Sequence, residues 1–185
     1  MKILVLSHTR CGSTSLCKWL SDELNIELDE TPYKSNIFED TFKRNNIIRK
    51  IVIEEYFPNK TDIEKFDKII YLLRENSIDA AISFLIANKN NIWHEKYEVS
   101  NDWLELNKET ILKQSIIYDY YKSKLKNYNG FHTTYENLFI NKKDLKSILN
   151  YFNIVEPKHL YHLEIDKKYR KDNNIFEKTK SKKLL

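Results

Sequence analysis

The spacing of apolar residues changes repeatedly along the chain, and each change marks an element. Ile3-Leu4-Val5-Leu6 is an unbroken apolar run of the kind found in a strand buried on both faces. Leu16, Trp19, Leu20 and Leu24 then recur at helical spacing, which predicts a βα unit. Residues 26–28 predict a short second strand, followed by a polar turn around Pro32 and a helix carrying Ile37, Phe38 and Phe42. Ile51-Val52-Ile53 predicts a β-branched strand ending at Glu54-Glu55, and Thr61-Asp62 caps a short helix that runs through Phe66. Residues 68–73 form another apolar strand, which ends at Arg74. Residues 79–87 have helical propensity, and a long amphipathic helix carrying Ile111, Leu112, Ile116, Ile117 and Tyr120 follows Asn107 as its cap. Gly130 opens a last strand over residues 131–134, and residues 144–152 predict a closing helix.

Strands that alternate with helices predict an α/β fold: a mainly parallel sheet flanked by helices, a three-layer sandwich like that of P-loop nucleotide-binding proteins. In such sheets ligands bind at the carboxyl ends of the strands, and Arg10 and Arg74 both fall at such ends. A chain of 185 residues, 41% hydrophobic and 31% charged, is long enough for one good core, so a single domain over 1–185 is expected. From about residue 167 the chain is dense in Lys and Arg and poor in apolar residues, which predicts a basic tail outside the core.

The net charge of +4 suits an anionic small molecule as readily as nucleic acid and does not choose between them. Cys11 and Cys17 point to different faces at their spacing of six, which argues against a disulfide framework or a metal site. No apolar run approaches a membrane span, and the apolar start is cut short by His8, Thr9 and Arg10, so no signal peptide is expected. A soluble, cytoplasmic protein is the expectation.

The chemistry concentrates in His8-Thr9-Arg10-Cys11-Gly12-Ser13-Thr14-Ser15, where a strand hands over to a helix. There, successive backbone N–H groups and the helix dipole converge on one point, a natural seat for a phosphate or sulfate. The chain has only two glycines, so finding Gly12 in this loop, where a missing side chain admits close approach of a ligand, is informative. A Walker A loop is excluded, because Ser7 replaces its first glycine and Ser13 stands where its lysine would follow Gly12. A Cys-x5-Arg phosphatase loop is excluded too, since after five intervening residues Cys11 is followed by Cys17 instead of arginine.

Arg10-Cys11-Gly12-Ser13-Thr14 instead resembles the Arg-Ser-Gly-Ser/Thr-Thr loop that holds the 5′-phosphosulfate in sulfotransferases using 3′-phosphoadenosine 5′-phosphosulfate (PAPS), particularly carbohydrate and tyrosylprotein enzymes. The departure is Cys11 for serine, which loses a hydroxyl but keeps the backbone donors. Lys68-Ile69-Ile70-Tyr71-Leu72-Leu73-Arg74 followed by Ser83 resembles the family's 3′-phosphate site, in which Arg offers a bidentate fork and Ser a hydroxyl. Ser83 follows Arg74 by nine residues where many members have eight, so Ser77 and its neighbours depart from the commonest pattern. Outside that resemblance, Arg74 is free to pair with Glu75 or Asp79. Thr134-Tyr135-Glu136-Asn137-Leu138 is similar to the family's Tyr-Glu-Asp-Leu segment, whose tyrosine lies near the adenine.

The resemblance implies a transferase that moves the sulfuryl group of PAPS to a hydroxyl of a small molecule, glycan or peptide, without a metal. Arg10, Cys11, Gly12, Ser13, Thr14 and Ser15 would hold the phosphosulfate, Arg74 and Ser83 the 3′-phosphate, and Tyr135 would lie near the base. Arg10 would also neutralise charge on the leaving phosphate. Glu30 resembles the catalytic glutamate of tyrosylprotein and bacterial trehalose sulfotransferases; Glu54 and Glu55, where cytosolic members carry a histidine nearby, are its rivals. His8 is expected to be a packed residue rather than a base. Trp93, His94, Tyr97 and Trp103 cluster in a predicted connection that either walls an acceptor pocket or packs as satellite core. Lys168, Arg170 and Lys171 either close the nucleotide site or form a solvated tail. Two other functions fit the same residues less well: a nucleotide-dependent kinase with a degenerate loop, which the missing lysine disfavours, and a non-catalytic nucleotide- or nucleic-acid-binding module. Nucleic acid and membranes are not expected partners, and the oligomeric state is not legible.

Overall fold

A computed structural model describes residues 1–29, 43–90 and 100–164 of the protein. Its strands are β1 (Lys2–Ser7), β2 (Glu27–Asp29), β3 (Ile47–Val52), β4 (Lys68–Leu73) and β5 (Phe131–Thr134). They pair in parallel throughout, in the order β2-β3-β1-β4-β5. The helices are α1 (Ser13–Leu24), α2 (Lys60–Ile63), α3 (Ser77–Asn90), α4 (Asn101–Leu125) and α5 (Leu145–Phe152), with a π turn at Glu136–Ile140 and a 3-10 turn at Leu160–Leu163. This is the expected parallel sheet flanked by helices.

The apolar run of β1 is uniform because both of its faces are covered. Ile3 and Val5 join α1, α5 and the π turn, while Leu4 and Leu6 join Ile51, Tyr71 and Leu125 on the other face. All four are fully buried, and each such side chain contributes about 2 kcal/mol of transfer free energy. β4 alternates in the same way, Ile70 and Leu72 to the α1 face and Ile69, Tyr71 and Leu73 to the α4 face. Helices α3 and α4 pack on each other through Ala80, Ala81, Ile82, Leu104, Ile111 and Tyr118.

Several expectations shift. β3 starts at Ile47 rather than Ile51, because the charges of Arg49 and Lys50 hide its first half. Arg49 is buried there and pairs at 2.8 Å with Asp29, its register partner on β2. Helix α2 is capped by Asn59, whose Oδ1 accepts the Asp62 N–H at 2.8 Å, and it ends at Ile63 rather than Phe66. Helix α4 starts six residues before the expected cap Asn107, with Ser100 Oγ accepting the Trp103 N–H at 3.2 Å. Its apolar face also differs: Leu104, Ile111, Tyr118 and Leu125 are buried, whereas Leu112, Ile116, Ile117 and Tyr120 are exposed. Trp103 lies in the first turn of that helix, against the α3–α4 cluster, not in a connection. The expected helix around Phe38, the residues Trp93, His94 and Tyr97, and the tail with Lys168, Arg170 and Lys171 lie outside the described residues.

Cys11 and Cys17 are both buried, and neither is in a disulfide. Among the described residues no helix is long and apolar enough to cross a membrane, and no group of three or more His, Cys, Asp or Glu residues is placed to hold a metal ion.

Candidate anion-binding site

Register dictates where the site forms. Ser7, the last residue of β1, pairs with Val52 of β3 on one side and Leu72 of β4 on the other, so the chain leaves all three strands at one end of the sheet. From there the loop of residues 8–12 climbs to the N-terminus of α1, whose first N–H groups have no intrahelical acceptors. Arg10 and Gly12 both take left-handed backbone, φ 63° and 77°, and such residues at alternate positions turn N–H groups toward the concave side of a loop. For Arg10 the conformation costs about 1–2 kcal/mol, a strain of the kind held at ligand sites. Gly12 is required for a second reason: a Cβ there would lie 2.9 Å from Cε2 and 3.0 Å from Cζ of Phe139.

On the β3 side, polar groups hold the loop. The Glu54 carboxylate accepts the Thr9 N–H at 3.2 Å and its hydroxyl at 3.3 Å, and lies 3.3 Å from His8 Nδ1. The Tyr118 hydroxyl, from α4, is 3.1 Å from Thr9 Oγ1, and its ring packs on His8 at 4.4 Å between centroids. Burial raises the Tyr118 phenol, so it stays protonated. Lys50 also reaches in from β3: its Nζ donates to Thr14 Oγ1 at 3.0 Å, in the first turn of α1.

On the β5 side, rings and one cation hold it. Tyr135, which caps the π turn, and Phe139 within it stack at 5.2 Å and lie against Gly12. The Arg74 guanidinium sits 4.3 Å above the Tyr135 ring, and its Nε is 3.1 Å from Glu136 Oε1, close enough for an ion pair though not aligned as a hydrogen bond. Glu136 Oε2 accepts the Glu75 N–H at 2.8 Å. Arg74 thus pairs with neither Glu75 nor Asp79 side chains but with a residue from the far end of β5.

The structure brings together Arg10, Cys11, Gly12, Ser13, Thr14, Ser15, Arg74 and Tyr135 around one loop. Ser83 joins them through Arg10, whose Nε donates to Ser83 Oγ at 3.4 Å. Ser77 is turned away, donating to Asp119 at 2.5 Å. Cys11 is fully buried, with its thiol donating to Thr9 O at 3.7 Å, and burial pushes that thiol well above its ordinary range. It therefore packs and is no nucleophile. His8 is buried against Tyr118, the packed residue expected. Glu30 lies outside the described residues, one position beyond the Asp29 that Arg49 holds. Glu55 is exposed, and Glu54 is committed to the loop.

Three contributors went unassigned in the sequence: Lys50, Tyr118 and Glu136. A signal existed for Lys50, since it shares the α1 face with Ile48 by the alternation of a strand. Glu136 stands in the segment similar to Tyr-Glu-Asp-Leu, which gives it no role, and nothing local marks Tyr118; both act across long separations in the chain.

No protein-family model and no curated protein matches the chain. Among solved structures it is similar to mouse sulfotransferase SULT7A1 complexed with PAP, at 19% identity and a TM-score of 0.54, over 88% of this chain and 60% of that one. It is also similar to the YorR protein of Bacillus subtilis in complex with phosphorylated GDP, at 12% identity and a TM-score of 0.50, over 83% of this chain and 96% of that one. The chain has a P-loop-like α/β fold. It spans 60% of the length of the mouse sulfotransferase.

Proposed function

We propose that the chain is a sulfotransferase that moves the sulfuryl group of PAPS to a hydroxyl of a small molecule, glycan or peptide. The observation that carries this is the meeting of Lys50, Arg10 and the start of α1 at one loop, with Arg74 and Tyr135 beside it. That donor set fits an anion held in the loop and a second anionic group held by Arg74. The fold likeness to a sulfotransferase that binds PAP supports the same nucleotide.

Bound PAPS would supply a sulfuryl group, whose transfer to the acceptor oxygen breaks the bond to the bridging phosphate oxygen and leaves 3′-phosphoadenosine 5′-phosphate (PAP). Lys50, absent from the loop itself, provides at Thr14 the cation that a Walker loop carries after its last glycine. Together with Arg10 and the N–H groups of residues 13–15 it offsets charge growing on the leaving phosphate, and preorganised donors of this kind matter most in catalysis. Ser13, Thr14 and Ser15 add hydroxyl donors. Glu30 takes the acceptor's proton; Glu54 has its carboxylate occupied by Thr9, which suits it to hold the loop rather than to act as base.

The test incubates the chain with PAPS and a panel of alcohols, phenols and glycans and detects a sulfated product by mass. Alongside it, PAP should raise the melting temperature more than AMP at equal concentration. Equal shifts sink the donor assignment, and magnesium-dependent ATP binding in their place favours a kinase. Full turnover by Glu30→Gln removes the base assignment alone.

A further inference from the structure

We infer that Glu136 is a positioning residue that aims the Arg74 guanidinium at a second phosphate, and so sets the site's preference for a nucleotide carrying one. The inference rests on the nucleotide reading above and adds to it a residue that touches no ligand.

A surface arginine samples many rotamers, and holding one costs up to about 2 kcal/mol of side-chain entropy. Arg74 has been restrained in advance. Tyr135 covers one face of its guanidinium at 4.3 Å, and Glu136 Oε1 lies 3.1 Å from its buried Nε. What remains is the edge formed by the two terminal nitrogens, which has no partner among the described residues. That edge is the planar fork that matches two oxygens of a phosphate.

A carboxylate beside an arginine can also be its competitor, occupying the place an anion would take. Two observations favour positioning. Glu136 sits at the inner nitrogen, leaving the terminal edge open. Its other oxygen is fixed independently by the Glu75 N–H at 2.8 Å, and the Asn141 N–H closes the π turn on the Glu136 carbonyl at 2.8 Å. Glu136 therefore keeps its place without needing Arg74. Tyr135 caps the same turn and Phe139 lies within it, both against Gly12, so one element sets the separation between the loop and the arginine.

The test measures the affinities of PAP and AMP, which differ only in the 3′-phosphate, for the wild-type chain and Glu136→Gln. Glutamine keeps the length and one acceptor but removes the charge at Nε. The expected result is a roughly tenfold loss of PAP affinity with AMP affinity within twofold of wild type. A merely structural role would weaken both nucleotides equally. PAP binding unchanged or tightened in the variant overturns the inference while leaving the donor assignment intact. A wild-type chain that does not prefer PAP over AMP overturns the donor assignment, and this inference with it. Should Glu136→Gln fail to fold, the Nε–H resonance of Arg74 in the wild-type chain decides: slow exchange with water supports a restrained guanidinium, and fast exchange overturns it.

Discussion

The two sides of the loop are held by different physics. On the β3 side, Glu54 and Tyr118 reach Thr9 through directed hydrogen bonds, and removing one acceptor would free the chain. On the β5 side, Gly12 lies against the Tyr135–Phe139 stack, and adding one carbon would drive the elements apart. The polar side fixes the orientation of the backbone as it enters the loop; the aromatic side fixes how close the π turn, and with it Arg74, can come. A loop clamped by a directional contact and a steric one is held both in angle and in distance.

The largest effect should come from the aromatic side. Gly12→Ala places a Cβ at 2.9 Å from the Phe139 ring on left-handed backbone, so a destabilisation of about 3 kcal/mol is expected from strain and overpacking combined. Urea unfolding checks it, and a loss below about 0.5 kcal/mol would mean that the π turn yields and the steric half of the comparison is wrong. Next is Lys50→Met, which keeps the stem and removes the charge at Thr14. For the proposed sulfotransferase activity, transfer should slow about 100-fold, equivalent to about 2.7 kcal/mol, with unfolding little changed.

Glu54→Ala leaves the Thr9 N–H without its acceptor in a half-buried place, and about 2 kcal/mol should be lost, with Glu54→Gln recovering part of it. Retained stability in the alanine variant would mean that water replaces the carboxylate and the polar clamp is slack. The smallest effect is a pH dependence. The Cys11 thiol is raised by burial, so the folded chain keeps its proton where the unfolded chain, titrating near about 8.5, gives it up. Stability is therefore full below about pH 8.5 and falls as pH rises above it. Cys11→Ala should flatten that part of the curve, as denaturation midpoints at pH 7 and 9.5 would show.

Legibility followed the range of the interactions. The strand, loop and helix around Gly12 were readable because their periods and their glycine are local, and the same holds for β4 ending at Arg74 and for β5. The buried face of α4 is not legible in the sequence because Leu112, Ile116 and Ile117 are as apolar as Ile111, and only packing on α3 decides which are covered. The first half of β3 is hidden in the sequence because a buried arginine reads as an exposed one until its partner on the neighbouring strand is known.

What the sequence determined by itself, then, is that a glycine-bearing loop joins the first strand to a helix and that an arginine ends a later strand. Only the tertiary structure decided what stands beside them. Lys50 meets Thr14 across 36 residues and Glu54 meets Thr9 across 45, since β1 is laid between β3 and β4 in parallel register. Glu136 reaches the Glu75 N–H across 61, because β5 pairs with β4 and returns the chain to the same end of the sheet. Such contacts depend on strand order, which hydrophobic periodicity does not encode.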